Sequence, residues 1–136
     1  MSVFISHAFE DRDLVHQRIV KVLEGNGIKT WHATRDIKTS ELWEPSIRAA
    51  LDGCDHFVLA MSPAAIESIW VKAELDWALK HRRDRIVPVM LRECSIDDFH
   101  LMLPQIQFVD CCQDSEAAAK QLLAVWEQSG SGVRST

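Results

Sequence analysis

The sequence contains no apolar run approaching the roughly 20 residues that a helix needs to cross a bilayer. That excludes an α-helical membrane span within it. It has no surplus of positive charge either: 15 lysines and arginines stand against 20 aspartates and glutamates, a net charge of −5. Nucleic acids and anionic membranes recruit basic surfaces, so neither is an expected partner. One local basic run, His81, Arg82, Arg83 and Arg85, reads as a solvated helix end whose cations complement the C-terminal dipole. The four cysteines, Cys54, Cys94, Cys111 and Cys112, form no Cys-x-x-Cys pair. Vicinal Cys111-Cys112 is a poor disulfide candidate, so reduced thiols are expected. The six histidines show no ligand spacing, and no metal site is expected. Residues Met1–Ser6 enter a strand pattern directly, without the basic and apolar regions of an export signal. The expected location is the cytoplasm.

What is present is the material of one folded domain. The 136 residues are 47% hydrophobic and 26% charged, enough to bury a sizeable core without staples. Apolar runs alternate with segments of helical period. Strands are expected at Ser2–Ser6, Ile28–Trp31, His56–Met61, Arg85–Leu91 and Gln105–Asp110. Helices are expected after Asp11 or Asp13, either of which can cap, at Trp43–Asp52, at Ile69–His81 and at Glu116–Gln128. Gly25-Asn26-Gly27 stops the first helix, and Ser62-Pro63 turns the chain after the third strand. A short helical segment is expected between the last two strands. The domain is assigned to residues 1–128, and the small, polar residues 129–136 read as a flexible tail or linker. Such an ending suits a piece of a longer protein and an ordinary frayed terminus equally.

Five strands alternating with helices predict a parallel sheet covered on both faces. If the strand order is 2-1-3-4-5, the ligand crevice lies beyond the ends of strands one and three, where the order reverses. A phospho-receiver domain shares that topology. It needs an acidic cluster after strand one and an aspartate ending strand three, whereas this sequence has Ser6-His7 and Met61-Ser62 there.

The helix Ile69–His81 carries the most information. Lys72, Asp76 and Lys80 form one polar stripe at i, i+4 and i+8, while Val71, Leu75, Ala78 and Leu79 form the apolar one. Glu74 falls away from the polar stripe, with Trp70, Val71, Trp77 and Ala78 as its helical neighbours. An unpaired buried carboxylate is costly, so such a group is paired, protonated or functional. Two readings stand side by side. Glu74 pairs with an arginine of a neighbouring element, or it faces a cleft with an indole beside it.

Several segments, in order, resemble the TIR (Toll/interleukin-1 receptor) family. VFISHAFED at Val3–Asp11 is similar to the first strand and its loop, and TWHATRDIK at Thr30–Lys38 to the second strand and long loop of bacterial members. FVLAMSP at Phe57–Pro63 and IVPVML at Ile86–Leu91 resemble strands three and four, and WVKAEL at Trp70–Leu75 matches the Trp-x-x-x-Glu pattern of NAD-cleaving members. The resemblance covers residues 2–128. It implies a flavodoxin-like three-layer α/β sandwich with a five-stranded parallel sheet in the order 2-1-3-4-5. It also implies an NAD glycohydrolase or cyclase that breaks the nicotinamide–ribose bond, in immune or defence signalling. The products would be nicotinamide and ADP-ribose or a cyclic isomer.

By the same resemblance Glu74 is catalytic, and Ser6, His7, Phe9, Asp36, Trp43 and Trp70 bind substrate. Four of the binding residues have a plainer reading. His7 is a hydrogen-bonded structural residue; Phe9 and Trp70 are core; Asp36 caps or turns the long loop. Ala8 and Phe9 stand where some relatives carry arginines, so phosphate contacts must differ. Thr39-Ser40 stand near the Pro-Gly of many bacterial relatives. The implied partners are NAD, as substrate rather than cofactor, and other TIR domains, in a homo-oligomer on activation. Further readings are a non-enzymatic adaptor working through TIR–TIR contacts and a sensor that binds NAD-derived signals without cleaving them.

Overall fold

The structure is a computed structural model that describes residues 2–32, 40–99, 108–113 and 116–135, with the side chains of 40–46 and 127–135 outside that description. Strand β1 (Ser2–Ser6) leads through a 3-10 turn at Phe9–Asp11 into α1 (Arg12–Val15). A π-helical turn, His16–Val20, joins α1 to α2 (Lys21–Glu24). Then follow β2 (Lys29–Trp31), α3 (Ser40–Gly53), β3 (His56–Met61), α4 (Pro63–Glu67), α5 (Ile69–His81), β4 (Ile86–Met90), β5 (Val109–Asp110) and α6 (Glu116–Ser135). Gly27, with φ of 80°, supplies the left-handed residue that turns the chain between α2 and β2.

The five strands form one parallel sheet in the order β2-β1-β3-β4-β5, as expected. Side chains alternate across a strand, and here both sides are buried. Phe4, Phe57, Leu59, Met61 and Met90 face α3, α4 and α5. The slimmer Val3, Ile5, Val58, Ala60, Val87 and Val89 face α1, α2 and α6. Two covered faces explain why β3 and β4 read as continuous apolar runs rather than as alternation. Phe4 stacks between Trp31 at 5.0 Å and Phe57 at 5.6 Å, so aromatics bridge the three strands on one face.

Three local differences from the sequence reading have physical causes. Ser62-Pro63 opens a helix rather than only turning the chain. Ser62 Oγ accepts from the Ala65 N–H at 3.1 Å and Pro63 occupies the first turn, where a missing N–H costs nothing. Asp11 does not cap the following helix through its side chain; its carboxylate is claimed by more distant partners. Helix α6 continues past Gln128 to Ser135, where the composition predicted a flexible tail. Isolated glycines weaken a helix by about 1 kcal/mol each without breaking it, and that stretch contains no proline. Of the predicted fifth strand Gln105–Asp110, residues 105–107 lie outside the described region, and Val109–Asp110 pair with β4.

The basic run after α5 has a structural task. Arg82 donates from Nη2 to the Asp52 carbonyl at 3.0 Å and from Nε to the Cys54 carbonyl at 3.3 Å, at the end of α3. Its guanidinium also lies 5.2 Å from the Trp77 ring centre. Carbonyls at a helix C-terminus lack intrahelical donors, and a cation satisfies both their hydrogen bonding and their partial charge.

Candidate functional site

β1 and β3 are neighbours, yet the helices that follow them go to opposite faces of the sheet. Their C-terminal ends therefore diverge into the crevice where α/β folds bind ligands. Ser6 ends β1 there, in register with Leu59 of β3.

Glu74 comes to this point from α5. It is 2% exposed and buried on the same side of the helix as Val71, Leu75 and Ala78. The Ser68 side chain caps α5 by accepting from the Val71 N–H at 3.2 Å, which fixes the helix start and hence the rotation that turns Glu74 inward. Ser6 Oγ donates to Glu74 Oε1 at 2.7 Å, across 68 residues of chain. This is the short separation of a hydroxyl bonded to a carboxylate. The helical wheel placed Glu74 inward correctly; it could not supply the serine, which comes from a different element.

The other sequence-predicted residues distribute as follows. His7 is buried beside Ser6, its Nδ1 3.5 Å from the Ile5 carbonyl and its ring edge-on to His32 at 6.3 Å. Burial lowers the His32 pKa first of all; His16 adds to the effect and Glu24 opposes it. Trp70, one turn before Glu74, is half-buried against the core on the α5 side of the sheet. Phe9 is 42% exposed, which overturns its reading as ordinary core: the 3-10 turn after β1 carries it outward. Trp43 lies within α3, its side chain outside the described residues, and Asp36 falls outside them altogether.

Sequence reasoning missed four residues at this edge. Arg12 folds back over the exposed Phe9 ring, its guanidinium 4.1 Å from the ring centre and its Nη1 donating to the Phe9 carbonyl at 3.1 Å. Among the described residues it has no carboxylate partner. Arg12, the first residue of α1, thus places a cation beside the connection that carries Ala8 and Phe9. Asp11 is 1% exposed and accepts from Ser62 Oγ and, at 3.3 Å, from Arg92 Nε. The available signal was a symmetry: Ser6 ends β1 and Ser62 directly follows β3, and an acid follows within each succeeding connection.

A separate cavity of about 820 Å³ opens at the ends of β4 and β5, lined by Leu14, Arg18, Arg92 and Cys112 among others. Arg18, carried by the π-helical turn, donates from Nη1 to the carbonyls of Leu91 at 3.3 Å and of Cys111 and Cys112 at 3.0 Å. It clamps the first helical segment to the strand ends. All four cysteines are free thiols. Burial is the leading cause that pushes Cys111 and Cys112 up to about 11. No group of three histidines, cysteines or acids converges among the described residues, and no described helix is long and apolar enough to cross a membrane.

The model of the TIR domain family matches residues 3–123. The chain belongs to the TIR family. Among solved structures, this TIR domain is similar to that of the Toll-related receptor TRR-2 from Hydra magnipapillata, with a TM-score of 0.71, 26% identity and 97% of each chain covered. It is 27% identical over 73 residues to the 2′ cyclic ADP-D-ribose synthase BtTIR of Bacteroides thetaiotaomicron, covering 54% of this chain and 25% of that protein. It is 36% identical over 73 residues to the NAD(+) hydrolase ApTIR of an Actinoplanes species, covering 46% of this chain and 10% of that protein. The chain therefore spans a quarter or less of the length of these two relatives.

Proposed function

We propose that this TIR domain cleaves the nicotinamide–ribose bond of NAD, with Glu74 as the catalytic carboxylate. The observation that carries the reading is a carboxylate 2% exposed at the topological switch point, held there by a serine hydroxyl. The names of the two bacterial relatives support it.

The chemistry asks little else of the protein. When the bond breaks, its electron pair goes to the pyridinium nitrogen and nicotinamide leaves neutral, so no acid is needed to protonate it. Positive charge develops on the ribose as an oxocarbenium ion. A fixed carboxylate in a dry setting stabilises that charge far better than it would in water. Water then captures the anomeric carbon, losing a proton, to give ADP-ribose; capture by a group of the same molecule gives a cyclic isomer. NAD is substrate, and neither cofactor nor metal is required. Trp70 and the exposed Phe9 offer flat apolar surfaces to the rings, and Arg12 offers a cation to the diphosphate. By the family resemblance His7, Asp36 and Trp43 are proposed as further substrate contacts. Because Glu74 is so deeply buried, turnover by isolated chains is expected to be slow and to rise on self-association into a homo-oligomer. The proposed setting is cytoplasmic immune or defence signalling, by a domain spanning residues 1–128.

Purified protein incubated with NAD and resolved by chromatography is expected to yield nicotinamide. Glu74→Ala is expected to lower the rate at least about 100-fold. Absence of nicotinamide at high protein concentration, or a Glu74→Ala protein equal to the wild type, defeats the proposal. One observation favours a second reading, the TIR–TIR adaptor. Ile69, beside Trp70 at the start of α5, is 81% exposed and suits a protein contact. An adaptor would bind a TIR partner equally well with Glu74 removed.

A further inference from the structure

We infer that Ser6 is a positioning residue for Glu74 rather than a contact to substrate. The inference rests on the NAD-cleaving reading and refines the part assigned to Ser6 from the family resemblance.

The first ground is access. Ser6 is 0% exposed, so it presents no surface to a ligand that arrives from solvent. The second is the hydrogen-bond inventory. A serine hydroxyl has one proton to donate, and at 2.7 Å from Glu74 Oε1 that proton is committed. It is not available to a substrate oxygen while the bond stands. The third is mechanical. Ser6 belongs to β1, which is paired on both sides, with β2 and with β3, and Ser6 itself is in register with Leu59. Its Cα is thus fixed by the sheet. Glu74 sits on a helix and has three side-chain torsions. A hydroxyl anchored in the sheet selects one carboxylate orientation before substrate arrives. Charge stabilisation of an oxocarbenium ion depends on such orientation being set in advance, because any reorganisation would add to the barrier.

A hydroxyl that merely satisfied a buried acid would also sit at this distance. The two roles separate in kinetics. A residue that aims the carboxylate acts on kcat, whereas a substrate contact acts chiefly on KM. Ser6→Ala removes the donor with minimal change of volume, Ser6→Cys keeps the size with a weaker donor, and Ser6→Thr keeps the hydroxyl. All three are compared with the wild type for nicotinamide release across a range of NAD concentrations, with thermal unfolding measured on the same preparations. The expected result is a kcat lowered about 10- to 100-fold in Ser6→Ala, with KM within about twofold. Ser6→Cys should be intermediate, and Ser6→Thr should recover most of the rate. An active wild type with an unchanged kcat in Ser6→Ala overturns the inference and leaves the NAD-cleaving reading intact. A raised KM at constant kcat overturns it in favour of direct substrate contact. Loss of rate that only tracks loss of folding in Ser6→Ala and Ser6→Cys alike overturns it in favour of a structural bond. A wild type that releases no nicotinamide overturns both.

Discussion

Asp11, on the connection after β1, takes a hydrogen bond from Ser62, at the end of β3. Ser6, at the end of β1, gives one to Glu74, on the second helix after β3. Each strand end therefore holds an acid carried by the connection that follows the other strand. The two bonds cross-brace the switch point, and Arg92 after β4 joins the brace through Asp11.

This brace has a measurable stability. Ser62→Ala removes the donor to Asp11 and the cap of α4 together. The expected loss is about 2 kcal/mol in urea unfolding. Asp11→Ala should cost a similar amount, and the double variant less than the sum, because each single change already breaks the shared bond. Strict additivity would show that the two side chains are energetically independent.

Arg18 makes a second prediction. Its Nη1 serves three carbonyls that end β4 and follow β5. Arg18→Ala leaves part-buried acceptors without this donor and is expected to cost about 2 kcal/mol. Arg18→Lys should recover part of that, because an ammonium lacks the planar fork. Fast amide exchange around residues 109–113 in the alanine variant would report the same loosening. Unfolding midpoints equal to the wild type would refute the clamp.

Mild acid should weaken the fold through two histidines. Burial is the leading cause that lowers the pKa of His32 and of His56 from the ordinary 6.5. Their stabilising contribution is present above pH 6.5 and is lost as pH falls through that value towards the lower folded pKa values, because the unfolded chain binds those protons first. The melting temperature is therefore expected to drop between about pH 7 and 5. His32→Gln with His56→Gln should flatten that slope; an unchanged slope would assign it to other groups.

The activity proposal implies a dependence on protein concentration. Glu74 is nearly closed to solvent within one chain. Specific activity across a dilution series is expected to rise with concentration, and crosslinking should track it. A flat series would mean that one chain carries a complete site.

Much of this was readable from residue spacing. Strands β1 and β3 and helix α5 lie where apolar runs and helical periodicity put them, and the polar stripe of α5 alone turned Glu74 inward. What spacing could not convey was long-range pairing. The destination of Asp11, 51 residues from Ser62, is a tertiary choice that overrode a good local capping position. Ser62-Pro63 was ambiguous because the same dipeptide suits a turn and a helix start. The core alternative for Phe9 fails because hydrophobicity does not record that a 3-10 turn rotates a side chain outward. Arg12 escaped notice because folding back onto Phe9 is a property of the turn, not of the motif.

Arg82 fastens the far end of α5 to the far end of α3. Two rods pinned at one end spread most at the other. A tilt of α5 against α3 about that guanidinium would displace most the ends where α3 begins and where Trp70 sits, remote from the residue that joins them.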